Sequence, residues 1–309
     1  MKTTETIKAW ALLSRLPFLS GGIVPFLLGS LIAFKFLPIF NLQIFLLALL
    51  AVILIMIITN FNGEIYDVAE DTLSRKLGKS QFGGGSQMII ENKIKSKHVK
   101  IVNFVFLIIT ITIGCVLQFY YQTGLWTLPL GITGIIFGFF YSKPPFRWVK
   151  RGIGEIMIGY SYGWLPVIVG FYIQTQTIIP ILHWISLPIS CTIFNVILIN
   201  EFPDHFADKE TGKNNLTVRL GKKKASWLYI FVSLSAIALF FISINKGAPK
   251  PSLILYVPVC VLSLIVSFMM YKSRYDEKNT LEKMCASTII INLGTSLSYI
   301  LGFLITEFQ

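Results

Sequence analysis

The chain has 309 residues, of which 54% are hydrophobic and 14% charged, with a mean hydropathy of +0.69. Soluble domains average about 25% charged residues, so an ordinary water-soluble enzyme is excluded and the chain reads as a polytopic membrane protein. The net charge of +12, from 27 Lys+Arg against 15 Asp+Glu, would suggest nucleic acid in a soluble chain, but no zinc-finger spacing, basic helix or RNA-stacking motif accompanies it.

A crossing helix needs about 20 mostly apolar residues. That rule predicts nine helices, over 9–34, 38–60, 98–120, 124–141, 153–175, 178–200, 225–244, 252–271 and 285–306. Helices are required because backbone in lipid must satisfy its own hydrogen bonds, and no alternating barrel pattern is present. The first segment runs past Phe34 and contains Arg15, so it reads as a retained span rather than a cleaved leader. Arg15 is costly in lipid and is expected to face a cavity. The second crosses 44–59 without a charge and ends near Asn60 and Asn62, before a long polar loop over 61–97. Short connections join the third to sixth helices, and Pro17, Pro25, Pro129, Pro166, Pro180 and Pro188 fall inside or at the ends of spans, where neighbouring helices absorb the freed carbonyls. The sixth ends at Asn200, before a second long polar loop over 201–224. Cys115, Cys191, Cys260 and Cys285 lie in apolar segments without CxxC spacing and read as small core residues.

Positive charge sorts by side. The N-terminus and the alternate loops facing with it hold 23 Lys and Arg, against three (Lys35, Lys246, Lys250) on the other side. Cytoplasmic loops collect Lys and Arg, so the N-terminus and long loops are expected in the cytoplasm and the C-terminus outside. The expected architecture is an all-α membrane protein. Its nine transmembrane helices form a bundle around a central cavity capped by cytoplasmic loops, as one domain over residues 1–309.

Both long loops carry a D-x-x-x-D pair, Asp67/Asp71 and Asp204/Asp208. Each pair follows an Asn near the end of a helix, Asn60 or Asn62 in one case and Asn200 in the other. Carboxylates four apart on a helical turn face the same side, so two such pairs at one end of a bundle place four around a common site. Something cationic must balance them. Hard oxygen ligands favour Mg²⁺, which binds through one or two carboxylates and gives its other positions to water and phosphate. Basic residues interleaved in the same region (Arg75, Lys76, Lys79, Lys143, Arg147, Arg151, Lys213, Arg219) suit phosphate oxygens. One D-x-x-x-D alone is a solvated helix start; the repeat carries the functional reading. Together these features describe a Mg²⁺-diphosphate site at a membrane surface, with a lipid tail between the helices. The Gly83-Gly84-Gly85-Ser86 run is either a flexible connector or an anion-binding nest. Glu155 is a candidate acceptor contact or a plain helix N-terminal charge.

These residues resemble the UbiA superfamily of intramembrane prenyltransferases. NGEIYDVAED (62–71) looks like its first aspartate motif, and NEFPDHFADKETGK (200–213) followed by LTVRLG (216–221) looks like its second. RLP at 15–17, GGGS at 83–86, and YSKPP at 141–145 leading to RGIGE at 151–155 resemble the naphthoate-prenylating branch. Two positions depart from the family pattern. Its usual first motif is N-x-x-x-D-x-x-x-D, whereas Gly63 stands four before Asp67, so either Asn62 is shifted by one or Asn60 and Glu64 take part. Where many members carry Tyr-x-x-x-Lys, position 145 is Pro, and Lys143 or Arg147 would serve instead.

The resemblance implies that Asp67, Asp71, Asp204 and Asp208, with Asn62 or Glu64, hold Mg²⁺ against a polyprenyl diphosphate. Arg15, Arg75, Lys79, Lys143, Arg147, Arg151, Lys213 and Arg219 would bind the diphosphate. Tyr141 would steady an allylic cation or orient the diphosphate, and Asn200, Ser86 and Glu155 would contact substrate. The implied acceptor is a small aromatic, 1,4-dihydroxy-2-naphthoate on the way to menaquinone. The rival readings are another acceptor (4-hydroxybenzoate, homogentisate, a glycerophosphate lipid, haem), cyclisation of the donor itself, or a cation-coupled transporter. Transporter sites usually lie at the membrane midplane, whereas these acids sit at helix ends.

Overall fold

The computed structural model describes residues 3–78, 80 and 82–306. Among these, eight helical runs are long and apolar enough to cross a membrane. They are α2 (Leu16–Phe36), α3 (Leu42–Tyr66), α5 (Ser96–Cys115) extended by a π-helical turn to Tyr120, and α7 (Gly154–Ile158) joined through a second π turn to α8 (Leu165–Thr175). The others are α9 (Pro180–Asn200), α11 (Leu216–Asn245), α12 (Pro251–Tyr271) and α13 (Lys278–Ile305).

The expected fourth span falls short. The helix there, α6 (Thr127–Phe139), has 13 residues, about 20 Å at 1.5 Å per residue, against about 30 Å of hydrocarbon. Its start is pinned by Gly124, whose backbone takes a φ of +99° where a side chain would strike the Tyr172 hydroxyl. Its end is set by Tyr141, which must reach the site described below. The first span is also corrected. The chain breaks at Arg15 (φ +49°) between α1 (Thr3–Leu13) and α2, with Pro17 in the first turn of α2. Arg15 therefore stands at a joint and not inside a membrane helix.

Burial divides the long helices into two sets. Half or more of α2, of the α7–α8 run, of α9 and of α13 is buried, against a third or less of α3, α5, α11 and α12. Where lipid surrounds helices, they associate through close packing and polar pairs. Gly29 on α2 and Gly170 on α8 let these two helices touch backbone to backbone, since a Cβ at either would overlap a carbonyl of the other. Asn195 donates to Tyr229 O and Ser233 Oγ at 3.0 and 2.9 Å, tying α9 to α11. Asn292 donates to Thr192 Oγ1 at 3.0 Å, tying α13 to α9, and Tyr229 pairs with Thr288 at 2.8 Å.

Two short helices sit at one end of this bundle, α4 (Val68–Gly78) after α3 and α10 (His205–Glu210) after α9. The start of α11 is held there from three sides. Asn215 Oδ1 accepts from Val218 N at 2.9 Å, Glu155 Oε1 from Leu216 N at 2.8 Å and Glu201 Oε2 from Thr217 N at 3.2 Å. A helix start has unpaired N–H groups that favour such acceptors. Glu155→Ala leaves the half-buried Leu216 N–H without its acceptor and is expected to cost about 1 kcal/mol, whereas Glu155→Gln keeps an amide oxygen there. Thermal unfolding of the detergent-purified protein should rank Ala well below Gln; equal midpoints would show that the cap contributes nothing.

Candidate active site

The junction between α3 and α4 decides which residues of the first motif reach a common pocket. Asn60 lies in the last turns of α3, Asp67 caps its end and Asp71 sits in the first turn of α4. Asn60, Asp67 and Asp71 all line a pocket of about 180 Å³ at the α4–α10 end of the bundle. Asn62 points elsewhere: it donates to Phe139 O and accepts from Asn103, each at 2.8 Å, between α3, α5 and α6. Glu64 is spent on neighbours, accepting from Ser86 N and Oγ at 2.6 and 2.7 Å and pairing with Arg15 at 3.1 Å. Neither Asn62 nor Glu64 joins the group of aspartates as expected. Glu64 and Ser86 brace Arg15 and the glycine loop from behind.

The second motif completes the pocket. Asn200, Glu201, Asp204 and Asp208 line it with Tyr141, Ser142 and Lys213. The glycine run passes directly over the acids: a Cβ at Gly83 would overlap the Asp204 carboxylate, and one at Gly85 the Asp71 carboxylate. Gly84 and Gly85 hold φ of +69° and +63°, a region that suits glycine. The Gly84 N–H donates to Asp204 Oδ2 at 2.9 Å and Ser74 Oγ donates to Oδ1. This run thus nests an anion of the chain's own.

The other aspartates are held in the same way. Asp67 accepts from Ser142 Oγ and from Arg147 Nη2, each at 2.9 Å. Arg147 also donates to Tyr66 O at 2.9 Å. Asp208 accepts from Asn215 Nδ2 at 2.7 Å and faces Lys213 Nζ at 3.5 Å. Burial pushes the Asp208 carboxyl up to about 6, with Lys213 drawing it down and Asp204 adding to the rise. Burial likewise raises the Asp71 carboxyl well above the usual range, against the pull of Arg15 and Lys213. Burial opposes the charge on Lys213, but Asp208, Asp67, Asp71 and Asp204 outweigh it, and its ammonium is held well above the ordinary lysine value.

Behind Tyr141 lies a carboxyl pair. Glu201 is raised by burial and then by Glu155, to which it is hydrogen-bonded. Glu155 Oε2 and Glu201 Oε1 otherwise find no donor. Tyr141 keeps its phenolic proton for the same reasons, burial first and then the nearby glutamates.

Four of the expected basic residues stay outside the pocket. Arg75 pairs with Glu91 at 3.2 Å, Lys143 lies 3.9 Å above the Phe139 ring, Arg151 donates to Pro145 O and Arg219 to Asn214 O. Lys79 lies outside the described residues. Arg15 and Lys213 line the pocket, and Arg147 reaches it through Asp67. Sequence reasoning missed Glu201, Ser142, Asn215 and Ser74. The first two adjoin residues it had singled out, whereas Asn215 and Ser74 carry no signal beyond being small polar residues near acids.

A second, apolar chamber of about 440 Å³ adjoins the first, lined by parts of α3, α5, α6 and α8 that include Met56, Ile55, Gly131, Gly134 and Leu165. Tyr162 lines both spaces.

The protein named 1,4-dihydroxy-2-naphthoate octaprenyltransferase from Bacillus subtilis is 28% identical over 213 residues, 69% of this chain and 66% of that protein. Its namesake from Escherichia coli is 29% identical over 58% of each chain. The chain thus spans just under two thirds of the first relative and less of the second. A further namesake, from Haemophilus influenzae, is 24% identical with 97% of both chains matched. The fold is similar to that of a UbiA homolog from Archaeoglobus fulgidus bound to GPP and Mg²⁺, with a TM-score of 0.65 at 17% identity over 94% of this chain and 99% of that one. The UbiA prenyltransferase family model matches residues 22–289, which takes in the pocket's lining apart from Arg15 and Phe18, and the chain belongs to that family.

Proposed function

We propose that the chain transfers a polyprenyl group from polyprenyl diphosphate to 1,4-dihydroxy-2-naphthoate, with Mg²⁺, as a step of menaquinone synthesis. The observation that carries this reading is the meeting of both aspartate pairs with Arg15 and Lys213 in one pocket that adjoins an apolar chamber. The names of the relatives support the acceptor and the transferred group.

The donor set suits Mg²⁺. Asp67, Asp71, Asp204 and Asp208 offer hard oxygens, and the Asn200 Oδ1 is buried without a hydrogen-bond partner at the same wall. Among the described residues no three His, Cys, Asp or Glu side chains stand close enough together to cage a metal. An ion here would be held through one or two carboxylates, with water and phosphate in its other positions. When bound, the ion would offset charge developing on the departing diphosphate.

The chain's own residues do the rest. Arg15 and Lys213 orient the diphosphate, with Glu64 and Ser86 fixing the Arg15 fork. Breaking the allylic C–O bond leaves its electron pair on the diphosphate and cation character on the prenyl carbon. The Tyr141 ring, neutral and beside the pocket, favours that cation electrostatically. A ring carbon of the acceptor bonds to the prenyl carbon, and the bond from that carbon to its carboxylate breaks with release of CO₂. Ile158, Tyr162, Ile193, Val196 and Ile197 line the pocket on its apolar side and keep out water that would quench the cation. The apolar chamber beyond Tyr162 takes the isoprenoid tail. The lopsided positive charge of the loops supports a cytoplasmic placement of this end.

Two measurements test the proposal. Asp67→Asn and Asp208→Asn are each expected to lower kcat/KM roughly 100-fold or more, the scale of losing charge stabilisation in a transition state, and EDTA should abolish transfer of a labelled prenyl group by membranes holding the protein. Turnover that survives chelation would dismiss the metal. Offered a panel of dihydroxynaphthoate, 4-hydroxybenzoate, homogentisate and glycerol phosphate, the protein should prenylate the naphthoate with one CO₂ released per transfer; preference for another acceptor, or release without CO₂, would reassign the branch.

A further inference from the structure

Lys213 is one of the two cations that line the acidic pocket. It sits on the turn that ends α10, where Gly212 takes a φ of +70° and the Lys213 N–H donates to Asp208 O at 2.8 Å. Its backbone is therefore anchored while a flexible four-carbon stem carries the charge. The side chain is 14% exposed, and its Nζ lies 3.5 Å from Asp208 Oδ1. A committed lysine–carboxylate pair closes to about 2.7–2.9 Å, as Arg147 does on Asp67. Lys213 instead stands off from any one partner and feels Asp208, Asp67, Asp71 and Asp204 together. The other donors are committed elsewhere: Ser142 on Asp67, Arg147 on Asp67 and Glu70, Gly84 and Ser74 on Asp204, Asn215 on Asp208, and Arg15 on Glu64.

We propose that the Lys213 ammonium is a resident counter-ion that holds the four aspartates together in the metal-free protein, competes with the divalent cation for them, and moves to the donor's diphosphate once that cation is in place. This inference rests on the Mg²⁺-diphosphate reading of the pocket. Two charged species cannot share the centre of the carboxylates at low cost, so arrival of the metal turns Lys213 from a partner of the acids into a free cation beside them. The incoming diphosphate supplies its new partner. Metal and donor then bind in order, because the lysine is released by the first and consumed by the second.

Mn²⁺ serves as the probe, with the full chain in detergent and no donor present. Lys213→Gln is expected to bind Mn²⁺ about tenfold more tightly than the unaltered protein, since a like charge within ~4–6 Å shifts a charged-state equilibrium by one unit or more. Its unfolding midpoint should fall in EDTA and recover in Mg²⁺, while its affinity for geranyl diphosphate in Mg²⁺ weakens. Lys213→Arg should keep the unaltered Mn²⁺ affinity. Amine acetylation of the unaltered protein, read at Lys213 by mass spectrometry, gives a second measurement that no folding defect can mask. Reactivity should rise when Mg²⁺ is added and fall again when geranyl diphosphate follows. Equal or weaker Mn²⁺ binding by Lys213→Gln, or labelling indifferent to Mg²⁺, overturns the counter-ion role while leaving the diphosphate reading intact. Absence of donor-free Mn²⁺ binding by both proteins overturns the counter-ion role, and absence with geranyl diphosphate present as well overturns the diphosphate reading too.

Discussion

Repulsion between carboxylates is the constraint around which this end of the molecule is organised. Two like charges 4 Å apart repel by about 4 kcal/mol at the effective dielectric of a protein surface, and here Asp67, Asp71, Asp204 and Asp208 line a single small pocket. The fold answers with hydrogen-bond donors on Asp67, Asp204 and Asp208 and with the nearby charges of Arg15 and Lys213 for Asp71. Arg15 and Arg147 stand at left-handed backbone positions, φ +49° and +43°, which turn their side chains back toward the acids. The glycine loop is threaded so closely over Asp71 and Asp204 that no Cβ would fit at Gly83 or Gly85. Asn215 serves twice, capping α11 with its oxygen and binding Asp208 with its nitrogen. These features are costly or unusual one by one, and each has the same cause.

That cause explains what the sequence let us read. Two acid pairs after apolar helices are a local pattern, and it is legible. Which of Asn60 and Asn62 joins them is not, because the chain breaks between α3 and α4 at Asp67 and the choice rests on that junction. Cations are a different matter. Long flexible side chains take whichever partner the tertiary structure offers, so eight basic residues with similar surroundings in sequence part company in space. Arg75 finds Glu91, and Arg151 and Arg219 find backbone carbonyls. Lys213 finds four carboxylates because the α10 turn points it at them. Nothing in composition distinguishes these fates.

The membrane-spanning part shows a related limit. A hydropathy window reports how apolar a stretch is, and 124–141 is apolar enough to be read as a full span. It does not report axial length, which the positive-φ Gly124 at one end and the buried Tyr141 at the other restrict to a helix of 13 residues. Hydropathy carried a second message. The four runs buried in the bundle have values of 1.5 to 1.9, whereas the four facing outward range from 2.3 to 3.0. The inner helices are less apolar because they carry the Ser, Thr, Asn and Gly residues through which helices lock in lipid. Weakness of the hydrophobic signal marked the centre of the bundle.

The two adjoining spaces select a ligand that neither would select alone. Four aspartates with Arg15 and Lys213 line the smaller pocket, which together with a divalent cation would suit many phosphates. The larger is walled by side chains such as Met56, Ile55 and Leu165, which accept any hydrocarbon that the bilayer supplies. A molecule that gains from both must carry its charge at one end of an apolar chain, and the point of attachment must fall near Tyr162, the side chain common to both walls. That position matters for chemistry as well as for binding. In the proposed reaction, cleavage at the junction would leave the diphosphate beside Arg15 and Lys213 and the prenyl carbon among rings and methyl groups that keep water away. The separation of charge in the reaction thus follows a separation of polarity already built into the protein.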